Sequence, residues 1–246
     1  MTPAAEESSW QLLPWDTSFF GINIARINKP LTEAELKQFQ KWHKERQVIC
    51  TYYECPINCL DAIHVATSLG FQLIDIKVVL ELAKVSNQAE SSADHSLRPA
   101  STSDLPELQC LTANLHQDTR FFADQRFPQE KAIELYSRWI QKDLDDPRGV
   151  VWVKTNTDDK PVAYLSCQIK EGKGWIGLFG VASEYQGLGI GSSLLRQGLD
   201  WFKQQGCCSI QVVTQGKNTG ALATYTSNGF RIKALSVWLH HWDIPT

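Results

Sequence analysis

The sequence predicts an α/β protein with a mixed sheet. Three observations carry that expectation. Helical and strand periodicities alternate through the second half of the chain. A glycine-rich turn, Gly187 to Gly191, joins a strand pattern to an amphipathic helix pattern. Residues 61–80 (DAIHVATSLGFQLIDIKVVL) return in weakened form at 220–239 (GALATYTSNGFRIKALSVWL), with Ala, Thr-Ser and Gly-Phe at matching places.

The elements follow in order. Residues 1–84 read as a small N-terminal α/β domain. Residues 85–96 (VSNQAESSADHS) have no aromatic residue and many small polar ones, the composition of a linker. Residues 97–246 form the larger domain. It opens with a short strand, Leu97 to Ala100, and Thr102, Ser103 and Asp104 offer N-caps for a helix reaching about Asn114. Helical spacing resumes after Pro128, with Ala132, Ile133, Leu135, Tyr136, Trp139 and Ile140. Gly149 to Lys154 and Pro161 to Ile169 are the arms of a hairpin, and Trp175 to Val181 is a third strand. Gly191 to Gln205 carries Leu194, Leu195, Leu199 and Phe202 on one helical face. A strand (Ser209 to Thr214), a short helix (Thr219 to Ser227) and a last strand (Ile232 to Leu239) complete the domain. The repeat has two readings. Helix-Gly-Phe-strand is a common turn, or residues 1–84 are a degenerate copy of the fold that follows. In the second reading Ala66 stands where the later copy has Tyr225.

Charge and composition exclude several classes. Twenty-four basic residues face 27 acidic ones, a net charge of −3, so no nucleic-acid partner is expected. No apolar run approaches the ~20 residues that cross a bilayer, so no membrane association is expected. Met1 to Ser9 lacks the basic and apolar regions of a secretory signal. Seven scattered cysteines are not a disulfide framework, and a reducing, cytoplasmic location is expected. The spacing of Cys50, Cys55 and Cys59 has no second pair to complete a zinc site, and adjacent His240 and His241 on a strand face opposite sides. No metal is expected. Cys207 and Cys208 are expected as buried thiols. The last strand offers an edge that could pair with a second subunit in a homodimer.

The most informative stretch is Gly174 to Ser193, GWIGLFGVASEYQGLGIGSS. Glycines let the backbone turn tightly, and a helix N-terminus with free N–H groups is an anion site. The spacing is neither that of a dinucleotide fingerprint nor that of a nucleotide-hydrolysing phosphate loop. Gln186-x-x-Gly189-x-Gly191, between a strand and a helix, resembles the acyl-CoA pyrophosphate loop of the GNAT acetyltransferases. Val181 matches an apolar position of that family's preceding strand. Downstream, Asn218 and Tyr225 precede Gly229-Phe230, in the family's order Asn, Ala, Tyr, Gly-Phe. The opening LRPAS-x-x-DLPEL is similar as well, so the resemblance covers about residues 97–246. It implies a GNAT fold for these residues, with acetyl-CoA as cosubstrate; under the second reading of the repeat, residues 1–84 would be a smaller, degenerate GNAT-like domain ahead of it. Phe179, Val181, Gln186, Gly187, Leu188, Gly189, Ile190, Gly191, Ser192 and Asn218 would bind acetyl-CoA, and the Tyr225 hydroxyl would lie near its sulfur.

The chemistry of acyl transfer agrees. A neutral amine must attack the thioester, the carbonyl oxygen gains charge and needs an N–H donor, and a thiolate leaves. Backbone N–H groups at Phe179 to Val181 could supply the donor. A phenol of pKa ~10 is close to matched with a thiol of pKa ~8.5, so Tyr225 is the expected general acid. The alternative is a helix tyrosine packed under Phe230.

For the acceptor, LHQDTRFFADQR (Leu115 to Arg126) mixes charged and aromatic residues in a loop that borders the acceptor site in GNAT proteins. Trp15-Asp16-x-x-Phe19-Phe20-Gly21, with Arg120-Phe121 and Tyr136-Ser137-Arg138-Trp139-Ile140, is similar to the TDP-fucosamine acetyltransferase group. That resemblance implies a nucleotide-linked amino deoxysugar as acceptor. His116, Arg120, Phe121 and Arg126 would line its site, the arginines meeting the diphosphate. His116, titrating near neutrality, Asp118 and Glu184 are candidates for the base by chemistry alone. The expected activity is direct N-acetylation. Its alternatives are acetylation of another small-molecule or protein amine, and a non-catalytic acyl-CoA-binding regulatory module.

Overall fold

The structure is a computed structural model, and it describes residues 9–83 and 96–243. The linker expected at 85–96 lies, Ser96 apart, outside the described residues. In chain order the elements are β1 (Trp10–Leu12), α1 (Pro14–Phe20), β2 (Ile24–Ile27), α2 (Leu36–Glu45), β3 (Cys50–Pro56), α3 (Leu60–Ser68) and β4 (Gln72–Leu82). There follow β5 (Leu97–Pro99), α4 (Leu105–Leu115), α5 (Arg120–Ala123), α6 (Gln129–Asp145), β6 (Gly149–Thr155), β7 (Pro161–Lys170) and β8 (Lys173–Val181). The chain continues through α7 (Ile190–Gln204), β9 (Ile210–Gln215), α8 (Thr219–Ser227) and β10 (Arg231–Trp242).

Two compact units result. One holds the residues up to Lys77 together with those from Ala234 onward, and the other holds Val78–Lys233. In the first unit the strand order is β1-β2-β3-β10. β1 and β2 are antiparallel, β2 and β3 parallel, and β3 and β10 antiparallel over Cys50–Pro56 and Ser236–Trp242. Ile27, Phe39, Tyr53, Phe71 and Leu239 build its core against α2 and α3. β10 has β3 along its C-terminal part, so it is not the open edge that the sequence suggested for pairing with a second subunit. A strand's place in a sheet depends on distant chain, which local patterning does not encode.

In the second unit the order is β9-β8-β7-β6-β5. β5 through β8 are antiparallel neighbours, and β8 runs parallel to β9. α4 and α6 cover one face, burying Leu108 and Ile140 against Val151, Val153 and Tyr164. α7 lies close against β7, because a Cβ on Gly198 would stand 2.5 Å from Leu165 Cδ2 and 3.1 Å from Cys167 Sγ. This close approach anchors α7 and thereby its N-terminus.

One local expectation holds and two are revised. Of the N-caps offered at Thr102 to Asp104, Asp104 is the one that α4 uses, and a 3-10 turn over Thr102–Asp104, capped by Ser101, leads into it. The Ser101 N–H donates to Asp104 Oδ2 at 2.7 Å, and Arg98 grips both oxygens of the same carboxylate at 2.8 and 3.0 Å. The loop after α4 contains the short helix α5, because Phe121 turns inward against Phe127 and Trp139. Cys207 is buried, but Cys208 is exposed. Among the described residues no helix is long and apolar enough to cross a membrane.

Candidate active site

The site grows out of the end of β8. Gln186 Nε2 donates to the Val181 carbonyl at 2.9 Å, tying the turn back to the strand it leaves. Gly187 and Gly189 both have φ of +75°, a backbone region in which a side chain would cost about 1–2 kcal/mol. Gly189 is the N-cap of α7, so the amides of Ile190, Gly191 and Ser192 sit in its first turn without intrahelical acceptors. Their dipoles favour an anion. Gly191 presses on the strand, where a Cβ would lie 3.4 Å from Phe179 Cζ.

Beside this turn the strands part. β8 and β9 pair only through Gly174↔Ile210, Trp175↔Gln211 and Ile176↔Val212. On its other side β8 stays paired with β7 as far as Ala163↔Val181. Phe179, Gly180 and Val181 therefore present one row of backbone groups to an opening instead of to a strand. The opening is a cleft of about 590 Å³. It is lined by Phe179, Val181, Gln186, Gly187, Gly189, Ile190, Gly191, Ser192 and Asn218, all expected at an acyl-CoA site. The expected Leu188 is 68% exposed and is not among the lining residues. The residues present fit the anionic, extended arm of acyl-CoA: a helix N-terminus for phosphates and an open strand edge for amide groups.

Asn218 caps α8, its Oδ1 accepting from the Ala221 N–H at 3.0 Å. That leaves its amide nitrogen as the group able to donate into the cleft. Tyr225 is two helical turns beyond Asn218 and 3% exposed, so it backs the cleft without lining it. Its ring stands 6.1 Å from that of Phe179 and 5.5 Å from that of Phe230. Burial, then the nearby Cys167, pushes the phenol pKa above its ordinary value, so the proton stays on oxygen.

The expected acceptor residues are not brought together in the cleft. Phe121 is a core residue at 4% exposure. Arg120 lies over the Phe121 ring at 4.2 Å. Arg126 is held by the buried Asp124 at 2.7 Å. His116 shares a 2.6 Å hydrogen bond between its Nε2 and the Tyr164 hydroxyl and stacks on Tyr136 at 4.8 Å. Desolvation lowers its pKa to about 4, so it does not titrate near neutrality as its type suggested. Of the other base candidates, Glu184 is exposed, outside the cleft lining, and bonded to Ser183. Asp118 does line the cleft, paired with Lys217 at 3.7 Å.

Several lining residues escaped the sequence reading: Leu115, Gly180, Tyr185, Lys217, Thr219, Gly220, Ala221 and Thr224. Spacing held a signal for Ala221 and Thr224, because 218, 221 and 224 are three residues apart and share one face of the helix that Asn218 caps. Among the described residues no group of three or more His, Cys, Asp or Glu side chains is placed to hold a metal ion.

Comparison with known proteins follows the same lines. Residues 112–230 match the acetyltransferase (GNAT) family. The mycothiol acetyltransferase of Kocuria rhizophila is 28% identical over 125 residues, 47% of this chain and 41% of that protein. The chain spans less than half the length of the curated relatives it matches. A GCN5-related N-acetyltransferase from Sphaerobacter thermophilus shares the fold at a TM-score of 0.67 and 15% identity, over 96% of this chain and 76% of that one. A tandem GNAT protein from the clavulanic acid biosynthesis pathway does so at 0.59 and 12%, over 91% and 76%. The parted parallel strand pair, the glycine turn and the N-terminus of α7 all lie within the segment that matches this family, and the solved structures share the fold around them.

Proposed function

We propose that the chain is an acetyl-CoA-dependent N-acetyltransferase working in the cleft between β8 and α8. The carrying observation is the divergence of β8 from β9 beyond Ile176 and Val212, directly beside the N-terminus of α7. Acetyl-CoA supplies an activated acyl thioester. The turn from Gln186 through Ser192 binds its pyrophosphate, and Asn218 donates to its arm. N–H groups of Phe179 to Val181 stabilise the negative charge that grows on the carbonyl oxygen. An amine nitrogen forms the C–N bond as the C–S bond breaks. Tyr225 gives its proton to the departing sulfur and regains one from solvent, while the amine sheds a proton to solvent.

Two acceptor readings remain in play. A nucleotide-linked amino deoxysugar is supported by the sequence features at Trp15 to Gly21 and Arg120 to Ile140. An amine without phosphates is supported by the local pairing of Arg126 with Asp124, which leaves no ready arginine clamp in the cleft. The N-terminal unit we read as a degenerate relative of the second. Acetyl-CoA-dependent thiol release, measured against amines that include nucleotide-linked 3-amino and 4-amino deoxysugars, tests both. Turnover on one of these sugars supports the first acceptor, and turnover on other amines alone supports the second. Bound acetyl-CoA without any turnover across the panel favours a regulatory binding module instead.

A further inference from the structure

A polar cluster that the cleft does not use lies on the other side of β8. Leu165 pairs with Phe179 and Cys167 with Ile176, so Gly177 and Leu178 together face Ser166. Two residues opposite one is a β-bulge, which bends the strand and increases its twist. This bulge is held by side chains. The Leu178 N–H donates to Ser166 Oγ at 2.7 Å, and the Ser166 hydroxyl donates to Asp143 Oδ2 at 2.6 Å. The Gln168 amide donates to Asp143 Oδ1. Asp143 comes from the last turns of α6, so a helix, β7 and β8 are linked through one carboxylate. Gly177 leaves the room these groups occupy: a Cβ there would stand 2.5 Å from Ser166 Oγ and 3.0 Å from Asp143 Oδ2.

The position of the bulge matters. It falls immediately after Ile176, where the pairing of β8 with β9 ends, and immediately before Phe179, where the cleft lining begins. We infer that Asp143, Ser166 and Gln168 form a brace that sets the direction in which β8 leaves β9, and so aims the Phe179–Val181 amides at the thioester end of acyl-CoA. None of the three lines the cleft, so they are positioning residues. The inference rests on the acyl-CoA reading of the cleft.

Two probes separate the brace from general stability. Acetyl-CoA reaches both the helix α7 turn and the strand edge, whereas 3′-phospho-ADP carries only the phosphates that α7 would hold. By calorimetry, Ser166→Ala and Asp143→Ala are expected to weaken acetyl-CoA about tenfold, because each strands a buried partner. Binding of 3′-phospho-ADP should change less than twofold. Asp143→Asn, which keeps shape but cannot accept from both partners, should fall between, and the S166A/D143A double variant should bind no worse than either single one. Should Ser166→Ala not fold, Asp143→Asn and Gln168→Ala carry the same two-probe comparison. Unchanged acetyl-CoA affinity, or equal loss for both probes, overturns the brace. A wild-type protein that binds neither probe overturns the acyl-CoA reading on which the brace rests.

Discussion

Helix α3 with its turn into β4, and helix α8 with its turn into β10, have nearly one backbone and different chemistry. Gly70 and Gly229 end the helices at φ of +85° and +87°. The Phe71 N–H donates to Ala66 O, and the Phe230 N–H to Tyr225 O, both at 3.1 Å. The N-cap residues share a backbone as well, Cys59 at φ −91°, ψ 61° and Asn218 at φ −81°, ψ 71°. What differs is the side chain at two places. Asn218 caps its helix and Cys59 does not, while Tyr225 stands where the first copy has Ala66. Turn geometry needs only the glycine and the main chain, so two helices with different side chains at these places end alike.

Four measurements break or sharpen that comparison. The largest effect is expected at Tyr225. If its hydroxyl is the general acid, Tyr225→Phe lowers kcat about a hundredfold or more and leaves acetyl-CoA affinity nearly unchanged; equal turnover by variant and parent would remove the residue from the mechanism. Putting the tyrosine into the first copy should do the reverse. Ala66 has no exposed surface, so Ala66→Tyr overpacks the N-terminal core and costs about 1–3 kcal/mol in denaturant melts, with kcat untouched.

Next comes acid sensitivity, which both units share. His43 and His116 have pKa values lowered to about 4, chiefly by burial, against about 6.5 for an unfolded histidine. The unfolded chain binds more protons between those values. The stability these rings contribute is therefore complete above pH 6.5 and is lost as pH falls toward 4, on the order of 2 kcal/mol for each. Urea midpoints at pH 7 and 4.5 should show the drop, and His43→Gln should reduce it; the same drop in that variant would assign it to other groups. Smallest are the caps. Cys59→Asn should stabilise the protein by about 1 kcal/mol and Asn218→Ala destabilise it by a similar amount, read as opposite shifts in Tm.

Much of this was legible in the sequence because the determinants are local. The order of elements from β5 to β10, α5 apart, follows from periodicity, and the left-handed glycines at 187, 189 and 229 follow from turn chemistry. The loop from Gln186 to Ser192 reads directly, since its amides need only a strand end, two glycines and a helix start. Asp104, one of the caps offered, does cap α4, while the 3-10 turn ahead of it was not read, because Arg98 holds the Asp104 carboxylate through a contact that local propensity does not contain.

The acceptor side was less legible. Arg126, His116 and Phe121 looked like a ligand loop by composition, yet each is taken up by neighbours: Asp124, Tyr164 and the Phe127–Trp139 cluster. Composition gives a side chain's capacity, while its use depends on which partner packing brings within about 3 Å. The sequence by itself determined the α/β class, the glycine turn and the Asn–Tyr helix, because each arises from residues within a few positions of one another. Tertiary structure alone decided that β10 completes the N-terminal unit, that β8 parts from β9 at Ile176, and that Asp143 of α6 meets the bulge at Ser166. Those outcomes depend on strand partners and close contacts between distant segments, which only the folded chain creates.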